Sequence, residues 1–161
     1  DFNLWPEYLK LFLVAIMMIG GCSGSTSGSF KVIRIIILLK IIMRELKNLV
    51  HPRAIFHVKV GDKSIDADDL SNVAALTFLF MGFTALGGIL LSAMGVDFTT
   101  ALSATVASLF NIGPGLGDVG AMGNYSSIPA MGKGILIFFM LLGRLEIYGI
   151  ILLFLPMTWR K

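Results

Sequence analysis

The 161-residue chain carries 13 Lys and Arg against 10 Asp and Glu, a net charge of +3, with 56% apolar residues, 14% charged residues and a mean hydropathy of +0.85. This composition lies outside that of ordinary soluble domains, and the chain is too short to wrap long apolar helices in a soluble core, so a membrane protein is expected. The lone Cys22 has no intrachain disulfide partner and neither His51 nor His57 has neighbours at metal-ligand spacing, so redox chemistry, a metal site and a cofactor are not indicated.

The first residues are acidic and aromatic, without the basic start and short apolar stretch of a signal peptide, and no Met opens the chain. The sequence is therefore expected to be the interior and C-terminal end of a longer polypeptide. Residues 6–19 form an apolar stretch in which Pro6 suits a first helical turn and the glycines from Gly20 end it. At roughly 21 Å this helix is too short to span a membrane. Gly20, Gly21, Cys22, Ser23, Gly24, Ser25, Thr26, Ser27, Gly28 and Ser29 then place a polar loop between two apolar segments. Irregular backbone at membrane depth survives only where it packs in protein or lines a wet cavity, which points to a pore or transporter.

Helical periodicity resumes over 30–50 through Ile33, Ile36, Ile37, Leu39, Ile41 and Ile42, with basic residues increasingly frequent toward its end. Together with the first helix it makes one broken crossing. Residues 54–65 alternate apolar and polar around Gly61 and Asp62, the pattern of a small hairpin, before residues 66–71 start the next helix. The run 70–96 carries no charge, about 40 Å of helix at about 1.5 Å per residue. A further span, 130–157, is interrupted only by Lys133, Arg144 and Glu146.

Lys31, Arg34, Lys40, Arg44, Lys47, Arg53, Lys59 and Lys63 crowd one connecting region, Arg160 and Lys161 end the sequence, and 96–132 holds no Lys or Arg. The positive-inside rule makes the linker and C-terminus cytoplasmic and the region around Asp97 and Asp118 external. A nucleic-acid patch is disfavoured, because the basic residues are mixed with Glu45, Asp62, Asp66, Asp68 and Asp69 and follow a membrane helix.

On the external side, 99–110 is an Ala-, Ser- and Thr-rich helical stretch of roughly 18 Å that runs into Asn111, Ile112, Gly113, Pro114 and Gly115. These residues alone fit an external turn after a helix C-cap as well as a selectivity filter, in which glycine lets successive carbonyls replace a cation's hydration shell. The order of span, short helix, glycine segment and span favours the filter. Arg144 falls near mid-span, where a charge costs from about 2.5 to roughly 10 kcal/mol or more, so it must face protein or water. Glu146, two residues on, points to nearly the opposite side. An ATP-binding loop is excluded, since Ser29 and Phe30 separate Gly28 from Lys31 and no strand precedes, and the membrane segments hold no Ser, His and carboxylate set for an enzyme.

The strings GGCSGSTSGSFKVIR, RELKNLVHP, FNIGPGLG and LLGRLEIY, in this order and spacing, resemble the C-terminal part of the membrane subunit of Trk-type potassium uptake systems, within the Trk/Ktr/HKT superfamily. The resemblance covers essentially the whole chain. It implies an all-α membrane protein in which helix, pore-helix, helix repeats surround a pseudo-fourfold cation pore. Residues 1–50 would be the second half of the third repeat, 51–69 a cytoplasmic linker and 70–161 the fourth repeat. Asn111, Ile112, Gly113, Pro114 and Gly115 match the fourth filter strand, with potassium met by the carbonyls of Ile112 and Gly113. The loop from Gly20 to Ser29 matches an intramembrane gate, with Arg144 the basic residue facing it and Lys31 either capping its inner side or anchoring the basic helix. The implied function is potassium uptake across the bacterial inner (plasma) membrane, with potassium as substrate and no cofactor. A sodium-permeable or ion-coupled cation symporter of the same superfamily is the alternative, and a noncatalytic membrane anchor is a distant third. The implied partners are the remainder of the polypeptide, a second copy in a homodimer, the lipid bilayer and a cytosolic nucleotide-binding regulatory subunit.

Overall fold

The structure, a computed structural model, describes residues 2–21, 31–51, 58–60, 63–65 and 67–145. The loop residues Cys22 to Ser29 and Glu146, together with the end of the predicted 130–157 span, lie outside the described residues.

Five helices carry the fold. Helix α1 (Glu7–Ile19) has Pro6 as its N-cap, one position earlier than a first-turn proline, because Pro6 adopts an extended ψ of 149°. Helix α2 (Val32–Val50) begins after Lys31, itself the N-cap with ψ 148°. A hairpin of β1 (Lys59–Val60) and β2 (Lys63–Ser64) follows, with Lys59 opposite Ser64 and Val60 opposite Lys63. The alternation around Gly61 and Asp62 anticipated it, and these are the only strands among the described residues. Buried Val58 packs with Ile37 of α2 and Leu70 of the next helix, and the Lys40 ammonium donates to the Lys59 carbonyl, so the hairpin is fastened to α2.

Helix α3 (Ala67–Ala93) contains the apolar stretch 69–93 with mean hydropathy 2.1, the one helix among the described residues long and apolar enough to cross a membrane. It stops short of Val96, where the apolar run ends, because the Val96 N–H turns back onto the Leu91 carbonyl at 3.2 Å. The membrane-compatible stretch therefore ends with the helix at Ala93, three residues before the apolar run does.

Helix α4 (Phe98–Leu109) sits among the others, packed against α3, α5 (Ala130–Arg144) and α1. Thr100, Ala101 and every residue from Ser103 to Leu109 are buried. In lipid there is little hydrophobic gain from pairing helices, so small side chains that let backbones approach do the work. The Ala, Ser and Thr content of α4 fits that requirement. Around it Leu76, Phe80, Val106, Phe110, Phe139 and Leu142 form one buried cluster, with the Phe80 and Phe110 rings 5.1 Å apart. Leu91, Ala101, Ala104, Val119, Ile128 and Leu136 form a second. Two hydroxyls in this apolar setting bond within their own helices: Thr105 Oγ1 donates to the Ala101 carbonyl and Thr84 Oγ1 to that of Phe80, each at 2.8 Å.

Candidate cation-conducting segment

The segment that follows α4 is set by how that helix begins and ends. Its N-cap is Asp97, whose carboxylate accepts from the backbone N–H groups of Thr99 (3.1 Å) and Thr100 (3.4 Å). At the other end the Asn111 N–H donates to the Ser108 carbonyl at 3.2 Å and the Ile112 N–H to that of Ala107 at 2.9 Å. This pair of bonds is a Schellman turn, with Asn111 in the left-handed conformation it requires, φ 56°. The helix therefore ends abruptly, and the chain leaves it in a new direction at Ile112.

Further along, several backbone groups are fastened, those of Leu116 and Asp118 to α4. Ser103 Oγ accepts from the Leu116 N–H (2.8 Å) and donates to the Leu116 carbonyl (3.1 Å), with the Thr100 carbonyl 3.3 Å away as an alternative acceptor. The Gly115 N–H donates to Val119, and the Asp118 N–H to Thr100 Oγ1. The Asn3 amide grips Gly117 from the other side, accepting from its N–H at 2.9 Å and donating to its carbonyl at 3.0 Å.

Between these two fastened stretches lie Ile112, Gly113 and Pro114, all exposed. Among the described residues no donor reaches the carbonyls of Asn111, Ile112 or Pro114. The Gly113 carbonyl differs, since the Tyr125 hydroxyl donates to it at 2.6 Å. Gly113 has φ 108°, a region that L side chains rarely adopt, and a Cβ built on it meets nothing within 4 Å. The demand for glycine there comes from the backbone, not from crowding.

The other expected site residues are placed less completely. Gly20 and Gly21 lead out of α1, and the Val32 N–H donates to the Gly21 carbonyl at 3.0 Å, so the two ends of the glycine- and serine-rich loop meet. Lys31 stands beside this closure as the α2 N-cap. Arg144 is exposed at the end of α5, directly after Gly143. A Cβ on Gly143 would lie 1.8 Å from the Leu109 carbonyl oxygen and 2.6 Å from Asn111 Nδ2, so α5 crosses the end of α4 at this glycine. Arg144 is thereby held near the point where α4 gives way to the exposed segment.

Asn3, Tyr125 and Gly143 were not singled out from the sequence. Asn3 is 114 residues from its partner, and no local pattern announces such a pairing. Gly143 did carry a signal, since an isolated glycine inside an apolar helical pattern usually has a packing reason.

A spanning helix, a short buried helix, an exposed glycine segment tied down at both ends and a further apolar helix define an all-α membrane transport fold. The chain belongs to the TrkH family, described as cation transport protein, whose family model matches residues 1–161. It is 44% identical over its whole length to the Trk system potassium uptake protein TrkH of Halomonas elongata and 41% identical over 98% of its length to that of Escherichia coli K12. It also superposes on the crystal structure of the potassium transporter TrkH from Vibrio parahaemolyticus with a TM-score of 0.86, at 40% identity over 97% of its length. The chain covers 33%, 32% and 33% of these three proteins, so it spans about a third of the length of the relatives it matches.

Proposed function

We propose that this chain is part of a potassium-uptake membrane subunit and supplies one strand of its selectivity filter, Asn111 to Gly115. The observation that carries the reading is the exposed run Ile112 to Pro114, fastened at both ends, whose outer carbonyls have no donor among the described residues. Carbonyl oxygens left unpaired in this way are suited to replacing the water around a cation. The end of α4 adds its share, because the C-terminal end of a helix is the negative end of its dipole and favours a positive charge nearby. Ile112 offers a carbonyl that no donor reaches among the described residues, whereas that of Gly113 has one lone pair engaged by Tyr125.

In this reading the loop from Gly20 to Ser29, with Lys31 and Arg144, forms the gate beneath the filter. The bond from the Val32 N–H to the Gly21 carbonyl brings together the two segments that flank the loop, which is consistent with this reading. The full protein resides in the bacterial inner membrane with several spans, its C-terminus and basic linker cytoplasmic. It works as a homodimer with a cytosolic nucleotide-binding regulatory subunit. Residues 1–50 and 70–161 contribute to two pore repeats and 51–69 link them.

The test is rubidium and sodium uptake by the full-length protein in lipid vesicles, wild type against Gly113→Ala. Loss of rubidium preference at normal protein level is expected. An unchanged preference removes Gly113 from the filter, and a wild type that favours sodium removes potassium as the substrate.

A further inference from the structure

The Gly113 carbonyl is the one member of the exposed segment 112–114 that accepts a hydrogen bond among the described residues, and its donor comes from a separate piece of chain. We propose that Tyr125 is a positioning residue for ion selection, its hydroxyl pinning the Gly113 carbonyl so that the filter strand holds a fixed orientation. The proposal rests on the filter reading of Asn111 to Gly115.

Tyr125 is well placed to act as a fixed post. It opens a one-turn 3-10 helix, Tyr125–Ser127, capped by Asn124, whose side-chain oxygen accepts from the Ser126 N–H at 2.9 Å. The Lys133 ammonium of α5 donates to the Ser126 carbonyl at 3.2 Å, and the Ile128 N–H returns to the Tyr125 carbonyl at 3.3 Å. The Tyr125 ring packs against the buried cluster that includes Leu91, Ala104 and Leu136. The ring is thus anchored to the same helices that bury α4, while its hydroxyl reaches out to the filter strand.

The Gly113 backbone needs such a post. At φ 108° glycine is the residue that tolerates the geometry, yet glycine is also the residue with the greatest freedom to leave it. A donor on one lone pair restricts rotation of the peptide plane. It also draws electron density from the oxygen, which weakens the field offered to an ion on the other lone pair. Selectivity among alkali cations depends on the spacing of the carbonyls and on their field strength. A rigid strand resists collapse around the smaller sodium ion, and a weaker field favours the larger, more easily dehydrated potassium ion. Both effects act in the same direction.

Tyr125→Phe in the full-length protein removes the hydroxyl and keeps the ring. A hydrogen bond between neutral groups contributes about 1 kcal/mol, so the ratio of rubidium to sodium uptake in vesicles should fall about fivefold, with sodium uptake rising. A purely structural role would lower the uptake of both ions together and leave their ratio alone. Should the Phe variant not fold, Asn124→Ala loosens the turn without touching ring or filter, and the ratio should move the same way by a smaller factor. A ratio within twofold of wild type in a well-folded Tyr125→Phe protein overturns the proposal, as does an unmoved ratio in Asn124→Ala where that is the variant that folds. Gly113→Ala, measured in parallel, separates the two ideas. A ratio lost there but kept in Tyr125→Phe removes only the tyrosine's role, and a ratio kept in both removes the filter reading itself.

Discussion

Replacing Gly143 by Ala tests whether the close crossing of α4 and α5 holds the exposed segment in place. The new methyl would meet the Leu109 carbonyl oxygen at 1.8 Å and its carbon at 2.8 Å, and Asn111 Nδ2 at 2.6 Å. Two of these atoms are backbone, so rotating a side chain cannot relieve the clash and one helix must move. Overpacking of this kind costs about 1–3 kcal/mol, and the rigid neighbours place Gly143 near the upper end. Alanine returns about 1 kcal/mol as the better helix former, leaving a net loss of about 2 kcal/mol. Gly134, on the same helix, has nothing within 4 Å of its built Cβ, so Gly134→Ala should be neutral or gain up to about 1 kcal/mol. Thermal unfolding of the two full-length variants in detergent, read as the fraction still monodisperse after heating, should therefore place Gly143→Ala below the wild type and Gly134→Ala level with it or above. Since the displaced atoms belong to Leu109 and Asn111, Gly143→Ala should also lose ion preference in the protein that does fold. A Gly143→Ala protein as stable as Gly134→Ala would refute the crossing.

At Gly113 the cost is backbone strain alone, about 1–3 kcal/mol, so Ala and Ser should lose rubidium preference to the same degree; a much milder Ala would mean that side-chain bulk, not φ, decides. At Arg144, a charge barrier to the cation predicts that Ala and Gln raise conduction while Lys stays near wild type; Lys behaving like Ala would instead assign the guanidinium a hydrogen-bonding role in holding the loop. Burial raises the Tyr125 phenol above its ordinary value, against a lowering by the adjacent Ser108 hydroxyl, which itself reaches no partner in hydrogen-bond geometry among the described residues. The neutral phenol is thus the form the fold favours, and its contribution to stability is complete below a pH of about 10 and lost as pH rises through the raised value. Selectivity should accordingly be flat across neutral pH and fail only in strong alkali, and a transition between pH 6 and 8 in wild type that persists in Tyr125→Phe would assign it to another group.

The parts of this fold legible in the sequence were those governed by neighbouring residues. The Ala, Ser and Thr run over 99–110 announced a short helix, and the structure sets α4 one residue earlier, with Asp97, in the sequence only a marker of the external side, as its cap. Gly61 and Asp62 between alternating residues announced the hairpin in the same way. The order of long helix, short helix and glycine segment carried the architecture, because a helix of about 18 Å between two apolar stretches has few other uses in a membrane. The fastenings of the exposed segment were not legible. Ser103 to Leu116 and Asn3 to Gly117 join residues that only the folded chain brings together, and a serine or asparagine in an apolar region signals a hydrogen bond without naming its partner.

Large apolar side chains such as Phe78, Leu86 and Ile89 of α3 and Ile137 and Leu141 of α5 are exposed, while Thr100, Ser103, Thr105 and Ser108 of α4 are buried. In water this arrangement would be unstable. Against lipid or neighbouring apolar protein it costs little, and it also removes the usual force that would press the helices together. What remains to fix α4 is shape: small residues along its length, the Gly143 crossing at its end and Asp97 at its start. On the proposed filter reading, a strand hung from such a helix inherits the precision of those contacts and no more. That is why the orientation of the Gly113 carbonyl depends on a separate support, and why Tyr125, anchored in the second buried cluster, is the residue able to provide it.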